Sequence, residues 1–421
     1  MPRLHKQEIF TCGAFALALF VLLWLRRPDS LLNAQFWAED GGVFFREQTL
    51  FGFWGALTRP YSGYLHVIPR MITAIVCELP VRWVPLGMNS SALLLEAISC
   101  SAFFWPCYRR VIASDMLRAT CCLIATTSIV AGNELVATLS NVQWFLCILS
   151  LLLILVAGKG FEIALTSLQV CIAFTAPITL LYAPFLAWQL KSNPPRLRLR
   201  PLIHLLALLA QCWIMREGLM GPKPVLRFNS VFLSTFGAGV SRCVIAPLLG
   251  WRFLREASDV AFFTTVAVGV IAGTILLTLL STRLYRTQQM KWLLGAGYVG
   301  VGSLAAVLVG RKILSNFLTM EGMRHYTAER YFFIGACMFI FTLALAVDSF
   351  LPLRKASLGA PVLGALFAWG AVHNFSADTL TDFQWQENAA KIEQWKAARR
   401  RHEKTDTLVV PINPNLHLIL D

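Results

Sequence analysis

The fold is decided by apolar stretches such as residues 9–25, which read IFTCGAFALALFVLLWL and carry no charged side chain. A helix needs about 20 mainly apolar residues to cross the hydrocarbon core of a bilayer, and it satisfies its own backbone hydrogen bonds there. Such stretches recur along nearly the whole chain of 421 residues, which is 57% hydrophobic and 14% charged with a mean hydropathy of +0.61. Soluble domains average about 25% charged residues. The sequence therefore predicts an all-α polytopic membrane protein.

We expect about eleven crossing helices on this length criterion. They fall near residues 9–25, 87–104, 119–133, 141–157, 162–176, 178–190, 201–215, 258–280, 292–310, 331–350 and 357–374. Pro177 separates two short stretches and predicts a helical hairpin. The apolar stretch 231–249 is ambiguous. We interpret it as a surface or re-entrant segment, because a full crossing there would reverse the orientation of every later segment.

The positions of the charged residues predict the orientation. With the N-terminus inside, most acidic residues fall outside and clustered basic residues fall in the short inner loops. These basic residues are Arg3, Lys6, Arg109, Arg110, Arg118, Lys159, Lys191, Arg196, Arg198, Arg200, Arg283, Arg286, Lys291, Arg354 and Lys355. Short loops rich in Lys and Arg remain cytoplasmic. The net charge of +14 is therefore a topology signal and does not indicate nucleic-acid binding. We expect a multi-pass membrane protein with a cytoplasmic N-terminus and a C-terminus on the outer face.

The long segments between crossings predict the domain organisation. Residues 1–375 form the transmembrane domain, with a large first outer loop at 26–86 and a second outer loop at 216–257. Within the first loop, Pro69 suits the first position of an amphipathic helix that lies on the membrane surface.

Residues 376–421 form a small outer extension. Trp385, Ala389, Ile392 and Trp395 repeat there at helical spacing, and a strand-like stretch follows at 407–410. We expect a short α/β tail that caps the outer loops, with a role in acceptor binding as the alternative.

Two adjacent carboxylates, Glu39 and Asp40, lie in the first outer loop within the stretch FWAEDGG at 36–42. At the mouth of a membrane protein, a carboxylate can deprotonate a hydroxyl group beside a lipid-borne substrate. The alternatives are a solvated loop pair or a pair that caps a helix. Gly41 and Gly42 permit a close approach of substrate, which favours Asp40 over Glu39.

A cytoplasmic N-terminus, a first helix, a large outer loop with an acidic pair and many further crossings together resemble the GT-C glycosyltransferases. The motif that carries the resemblance is Ala38-Glu39-Asp40-Gly41, supported by YSGYLH at 61–66, by 133–144 and by AERYF at 328–332. Enzymes of this family take sugars from polyprenyl-phosphate carriers. The resemblance implies transfer of a sugar from such a carrier to a glycan or lipid acceptor on the outer, periplasmic face, beside membrane lipids.

The resemblance also implies roles for particular residues. Asp40 or Glu39 is the base that activates the acceptor hydroxyl, as carboxylates do in sugar chemistry. Some members hold a divalent cation at the acidic pair, and Glu39 and Asp40 are the residues that would contribute to it, although no fuller set of oxygen ligands is visible. The use of a metal stays open.

Further polar residues near the predicted outer boundary are candidates for substrate binding. The candidates for the phosphate are Arg70, Arg324 and Arg330, for which headgroup contact is the alternative. His66 could donate to a phosphate oxygen or to a sugar. The candidates for sugar contact are Glu134, Asn141, Trp144, Tyr64 and Tyr331, for which an interhelical polar network or an interfacial aromatic belt is the alternative.

A transporter or flippase for a lipid-linked or small polar substrate is the second hypothesis. Glu96 and Asp348 are the main carboxylates inside predicted crossings, and such groups are functional candidates. Transporters commonly show paired half-symmetry and binding at the midplane, whereas the polar residues here concentrate at the outer face. A non-catalytic assembly protein is a third hypothesis.

Overall fold

The chain is almost entirely helical and ends in one small antiparallel β-hairpin. A computed structural model describes residues 6–130, 134–155, 163–220, 236–285, 287–310, 329–351 and 356–421. The helices up to residue 155 are α1 (Lys6–Arg26), α2 (Asp29–Leu32), α3 (Arg46–Leu57), α4 (Val67–Val76), α5 (Val84–Ser101), α6 (Asp115–Thr127) and α7 (Val142–Leu155). The later helices are α8 (Ile163–Ala173), α9 (Ala183–Ser192), α10 (Leu199–Met220), α11 (Phe236–Leu249), α12 (Trp251–Glu256), α13 (Asp259–Leu284), α14 (Gln288–Gly310), α15 (Phe333–Phe350), α16 (Ala356–Asn374) and α17 (Trp385–Arg400).

Several helices are long and apolar enough to cross a membrane, which indicates a membrane protein. Within the described ranges there are five such spans: Lys6–Arg26, Val81–Arg110, Leu199–Arg216, Asp259–Leu284 and Glu329–Phe350. Helices α8 and α9 add a sixth if the pair, bent by 120° near Pro177, is one span. The predicted number of eleven crossings is not confirmed, partly because α6 has only 13 residues and the described part of α7 has 14.

The stretch predicted as a surface or re-entrant segment is described from residue 236 onward. Its described part is the apolar helix α11, in which Ser241–Ile245 form a π-helical turn. With 14 residues between 236 and 249, this part is about 21 Å long at the usual helical rise. That length is less than a bilayer crossing requires, while residues 231–235 lie outside the described ranges.

The first outer loop consists of short helices. A π-helix, Asp40–Phe45, runs directly into α3, which is bent at Gly52, where φ is +66°. The predicted surface helix is present as α4, but it begins at Val67, so Pro69 is its third residue and not its first. Its buried side includes Arg70 and Thr73, whereas Ile75 is exposed.

The C-terminal extension packs on the first outer loop. It contains α17 and the strands β1 (Leu408–Ile412) and β2 (Leu416–Leu420), which pair antiparallel with Val410 opposite Leu418. The ring of Trp385 lies edge-on to that of Phe36 at 4.7 Å, and the Glu393 carboxylate accepts a 2.9 Å hydrogen bond from the Val81 N–H. The predicted helix and strand are therefore both present, and they cover the loop that holds the acidic pair.

The opposite end of the bundle carries an ion-pair cluster. Arg109 contacts Glu8 at the start of α1 and Asp115 at the start of α6, each at 2.8 Å. Asp115 also pairs with Arg118. These residues lie on the predicted inner side, about 27 Å along α1 from Arg26 at the usual helical rise.

Candidate functional site

The predicted site residues converge on one irregular segment, residues 134–141, which we call the 134–141 loop. It directly precedes α7, and residues 139–141 form a single 3₁₀ turn. Residues 135–141 are all buried. Because the loop has little regular structure, its backbone groups need side-chain partners from neighbouring elements.

Asp40 is one of those partners. Its carboxylate accepts hydrogen bonds from the Leu139 N–H at 2.9 Å and the Ser140 N–H at 2.8 Å. The side chain is buried, with 1% exposure of the residue. Burial, with a smaller contribution from the neighbouring Glu39, raises the pKa of Asp40 to about 7. The two N–H donors act in the opposite direction and lower it. Asp40 is therefore a carboxylate that can exchange a proton near neutral pH, and it also caps the 3₁₀ turn before α7.

The neighbours of Asp40 differ from the expectation. Glu39 is only half-buried, so it is the more accessible acid of the pair. Gly41 is predicted from the sequence to allow a close approach of substrate, but it is packed against Phe36. A Cβ at position 41 would lie 2.9 Å from the Phe36 side chain. Packing against Phe36 therefore accounts for the glycine at 41, which no longer favours Asp40 over Glu39.

Two further charged residues hold the 134–141 loop from other sides. Glu96 of α5 accepts the N–H of Ala137 with both oxygens, at 3.0 and 3.3 Å. Arg27 donates to the Val136 carbonyl at 3.0 Å and lies 5.6 Å from the centre of the Trp37 ring. Both side chains are almost fully buried. The loop is thus fixed by Asp40, Glu96 and Arg27 together.

Four of the predicted residues form a chain of contacts that we call the outer ring: Glu134, Arg330, Tyr331 and Trp144. Arg330 pairs with the Glu134 carboxylate and donates to the Tyr331 hydroxyl at 3.1 Å. The Tyr331 ring lies edge-on to the Trp144 ring at 5.3 Å. Asn141 joins the ring by donating to the Glu134 carbonyl at 2.8 Å. The structure therefore brings together five residues that come from segments almost 200 positions apart.

Tyr64, His66 and Arg70 form a second group beside the same loop. Tyr64 donates to the Gln143 side-chain oxygen at 3.0 Å, and its ring lies 4.3 Å from that of His66. The sequence places Arg70 at the membrane surface, but it is buried and pairs with Glu47 at 2.6 Å. Its position in α4 turns it toward α3 and the protein interior, so headgroup contact does not describe Arg70.

Glu329 and Arg330, which are adjacent in the chain just before α15, form ion pairs with different elements. Glu329 contacts Arg242 of α11 at 3.4 Å, while Arg330 contacts Glu134. Arg242 also lies over the Trp251 ring at 3.7 Å. The 3₁₀ turn Glu329–Phe332 is thereby tied both to α11 and to the 134–141 loop. Arg324, another predicted phosphate ligand, lies outside the described ranges.

Some polar atoms of these groups have no hydrogen-bond partner among the described residues. They are Nε1 of Trp144, Oε1 of Glu134, and Nε and Nη2 of Arg70, all of them buried. Buried donors and acceptors in native proteins are nearly always paired. Unpaired ones of both kinds occur together in the outer ring, on Glu134 and Trp144, and they are suited to a ligand that both donates and accepts hydrogen bonds.

A divalent cation at the acidic pair would need several oxygen ligands besides Glu39 and Asp40. The parts of the chain that are described contain no group of three or more His, Cys, Asp or Glu residues able to hold a metal ion. We therefore derive no step that uses a metal.

Comparison with known proteins adds no relationship: no family model, curated protein or solved structure matches this chain. The similarity to GT-C glycosyltransferases thus stays a prediction. Any function for the protein is therefore inferred from the geometry of the site.

Sequence reasoning missed Glu47, Arg27 and the structural role of Glu96. Glu47 pairs with a residue 23 positions away, and Glu96 bonds to a backbone group 41 positions away. Neither spacing leaves a local signal. Arg27 directly follows an apolar helix, and a charge in that position more often signals topology than a buried contact.

Proposed function

We propose that this protein is a membrane glycosyltransferase, which moves a sugar from a polyprenyl-phosphate carrier to a glycan or lipid acceptor on the outer face of the membrane. The observation that carries the proposal is the position of Asp40 against the loop that also bears the outer ring. One side of the loop holds a proton acceptor, and the other side holds indole, phenol, guanidinium and carboxylate groups. Aromatic rings with nearby polar groups suit sugar recognition, since sugars have apolar faces and many hydroxyl groups.

Asp40 is the proposed base. Its pKa of about 7 suits proton transfer at neutral pH, since the best catalytic pKa lies near the working pH. Each carboxylate oxygen that accepts one N–H group keeps a second lone pair for a substrate hydroxyl. Glu39, half-buried beside it, adds negative charge that favours uptake of the proton by Asp40.

Arg330 and Arg70 are the proposed contacts of the phosphate leaving group. Guanidinium groups bind phosphate oxygens with paired N–H donors. Each guanidinium pairs with a carboxylate, Glu134 for Arg330 and Glu47 for Arg70. Nε and Nη2 of Arg70 have no partner among the described residues, so they are available to an anionic ligand.

The proposed topology has eleven crossings, with a cytoplasmic N-terminus and a periplasmic C-terminus in a bacterial inner membrane. The C-terminal extension packs on the first outer loop, while the start of α1 pairs with Arg109 at the other end of the bundle. Termini on opposite sides require an odd number of crossings, a condition that eleven satisfies.

Cells with and without the protein test the proposal. We expect loss of the protein to change the lipid-linked sugars and the surface polysaccharide, and a gene carrying Asp40→Asn or Glu39→Gln to leave that change uncorrected. The conservative variants keep the size of each side chain, and the amount of protein in the membrane is measured in parallel. Full correction by both variants would contradict the assignment.

A transporter gives a different result in sealed vesicles. It predicts movement of a substrate that depends on Glu96 or Asp348. The Glu96 carboxylate accepts a backbone N–H with both oxygens, and this supports a structural role over ion coupling.

A further inference from the structure

The backbone of the 134–141 loop is held in a conformation that it would not adopt alone. Ala137 has φ of +59° and is buried. Left-handed backbone is uncommon for residues other than glycine, and it persists where the surroundings impose it. Glu96 supplies such a constraint, because its carboxylate accepts the Ala137 N–H with both oxygens.

The conformation of Ala137 sets the direction of the groups that reach Asp40. The Leu139 and Ser140 N–H groups, which contact Asp40, follow Ala137 by two and three residues. Thr138 between them is extended, with φ −124° and ψ 122°. A change of backbone direction at Ala137 would therefore rotate both donors away from the carboxylate.

We propose that Glu96 is a positioning residue for Asp40, which acts by holding the Ala137 N–H so that the Leu139 and Ser140 N–H groups grip the Asp40 carboxylate. Glu96 contacts the loop backbone and acts through it. The role of Asp40 as the base rests on the proposed function, whereas the link between Glu96 and the state of Asp40 does not.

The link has a measurable consequence in the protonation of Asp40. The charged groups that act on Asp40 are Glu39 in the same loop, Glu96 in α5 and Arg27 after α1. The two N–H donors favour the charged carboxylate, and burial opposes it. If the donors turn away while the site stays buried, the pKa of Asp40 rises.

A hydrophobic carbodiimide, which reacts with protonated buried carboxyl groups, can report this change. The full-length protein is embedded in lipid nanodiscs and labelled across the neutral pH range, and the Asp40 peptide is quantified by mass spectrometry. Wild-type protein should show a labelling midpoint near pH 7. Glu96→Leu should raise that midpoint by about one pH unit or more, and Glu96→Gln, which keeps an acceptor oxygen, should restore the wild-type midpoint.

Gln169→Leu is the control for loss of a buried polar side chain elsewhere. Gln169 in α8 is buried and accepts from Arg200, far along the chain from Asp40. The Asp40 labelling midpoint in Gln169→Leu should equal that of the wild-type protein. If Glu96→Leu does not fold, Glu96→Asp withdraws the acceptor by one methylene group and should shift the midpoint in the same direction.

Two results would overturn the proposal. One is a midpoint in the folded Glu96→Leu or Glu96→Asp protein that equals or falls below that of wild type. The other is an upward shift in Glu96→Gln as large as in Glu96→Leu, because Glu96→Gln keeps the acceptor oxygen that the proposal requires. No sugar or carrier is used, so a failure of the proposed glycosyltransferase function leaves the labelling result unchanged.

Discussion

Asp40 and Asp115 are two aspartates at opposite ends of the same helical bundle, and their environments differ. Asp40 is buried and accepts two backbone N–H groups, whereas the side chain of Asp115 is 45% exposed and pairs with Arg109 and Arg118. Burial raises the pKa of Asp40 to about 7. The guanidinium of Arg109, followed by that of Arg118, lowers the pKa of Asp115.

The charged groups at the two ends of the bundle also differ in exposure and in hydrogen bonding. At the end with Asp115, the charges of Arg109, Glu8 and Asp115 are partly exposed and pair with one another, as ion pairs in water do. Arg118 is the buried member of that cluster, and its Nε has no partner among the described residues. At the end with Asp40, charged groups are buried, and several of their polar atoms have no partner among the described residues. Keeping such groups buried costs stability, so we infer that function maintains them.

The largest expected difference between Asp40 and Asp115 is in how the stability of the protein depends on pH. Folded Asp40 keeps its proton up to about pH 7, whereas an ordinary aspartate releases it near 3.8. The folded state therefore binds more protons between these values, and its stability falls as pH rises through them. The shift corresponds to about 4 kcal/mol. We expect the stability difference between wild type and Asp40→Asn to fall by this amount from about pH 4 to pH 7, measured by unfolding in detergent micelles.

Asp115→Asn is the matched variant at the other end. Because its folded pKa is lowered, the contribution of Asp115 is present above its ordinary pKa and is lost only as pH falls through the folded value. The corresponding difference plot should be flat between about pH 4 and pH 7. Equal plots for the two variants would contradict the contrast between the two ends.

Breaking one ion pair at each end gives the next largest difference. Arg330→Leu leaves the Glu134 carboxylate, 12% exposed, without its partner. We expect a loss of about 3 kcal/mol in the free energy of unfolding, since an unpaired buried charge is costly. Arg109→Leu, at a side chain that is 47% exposed, should cost less than about 1 kcal/mol.

The double variant Arg330→Leu with Glu134→Leu identifies the cause. It removes both charges, so it should recover at least half of the stability that Arg330→Leu loses. A double variant that is less stable than Arg330→Leu would mean that packing, and not the buried charge, explains the cost.

Two neighbouring glycines give the smallest expected effect. A Cβ at Gly41 would lie 2.9 Å from the Phe36 side chain, whereas at Gly42 the nearest atom is 3.6 Å away, in Ile412. Gly41→Ala should lower the free energy of unfolding by about 1–2 kcal/mol through overpacking, and Gly42→Ala should change it by less than about 0.5 kcal/mol. Equal effects would show that Phe36 yields to the added methyl group.

Much of the fold could be predicted because its signals are local. The apolar stretch at 9–25 is helix α1, the spacing of Trp385 and Trp395 predicts α17, and the stretch at 407–410 is part of β1. Each of these signals depends on residues within a few turns of one another. The number of crossings is harder to predict, because α6 is shorter than its apolar stretch.

The candidate site could be predicted as a set of residues but not as an arrangement. Outer-boundary position alone selects Asp40, Glu134 and Arg330, which the structure places around one loop. The bonds of Glu96 and Arg27 to the same loop join residues 41 and 109 positions apart. The left-handed backbone of Ala137 could not be predicted from the sequence either, since alanine does not favour that conformation.

We propose that the end of the bundle with Asp40 is a site of sugar transfer. An assay of purified protein in proteoliposomes, supplied with a polyprenyl-phosphate sugar and a glycan acceptor, tests this proposal. We predict that Asp40→Asn lowers the rate by about 100-fold or more, as loss of a general base does, while Asp115→Asn leaves it within about 3-fold of wild type. Transfer by Asp40→Asn at the wild-type rate would contradict the account.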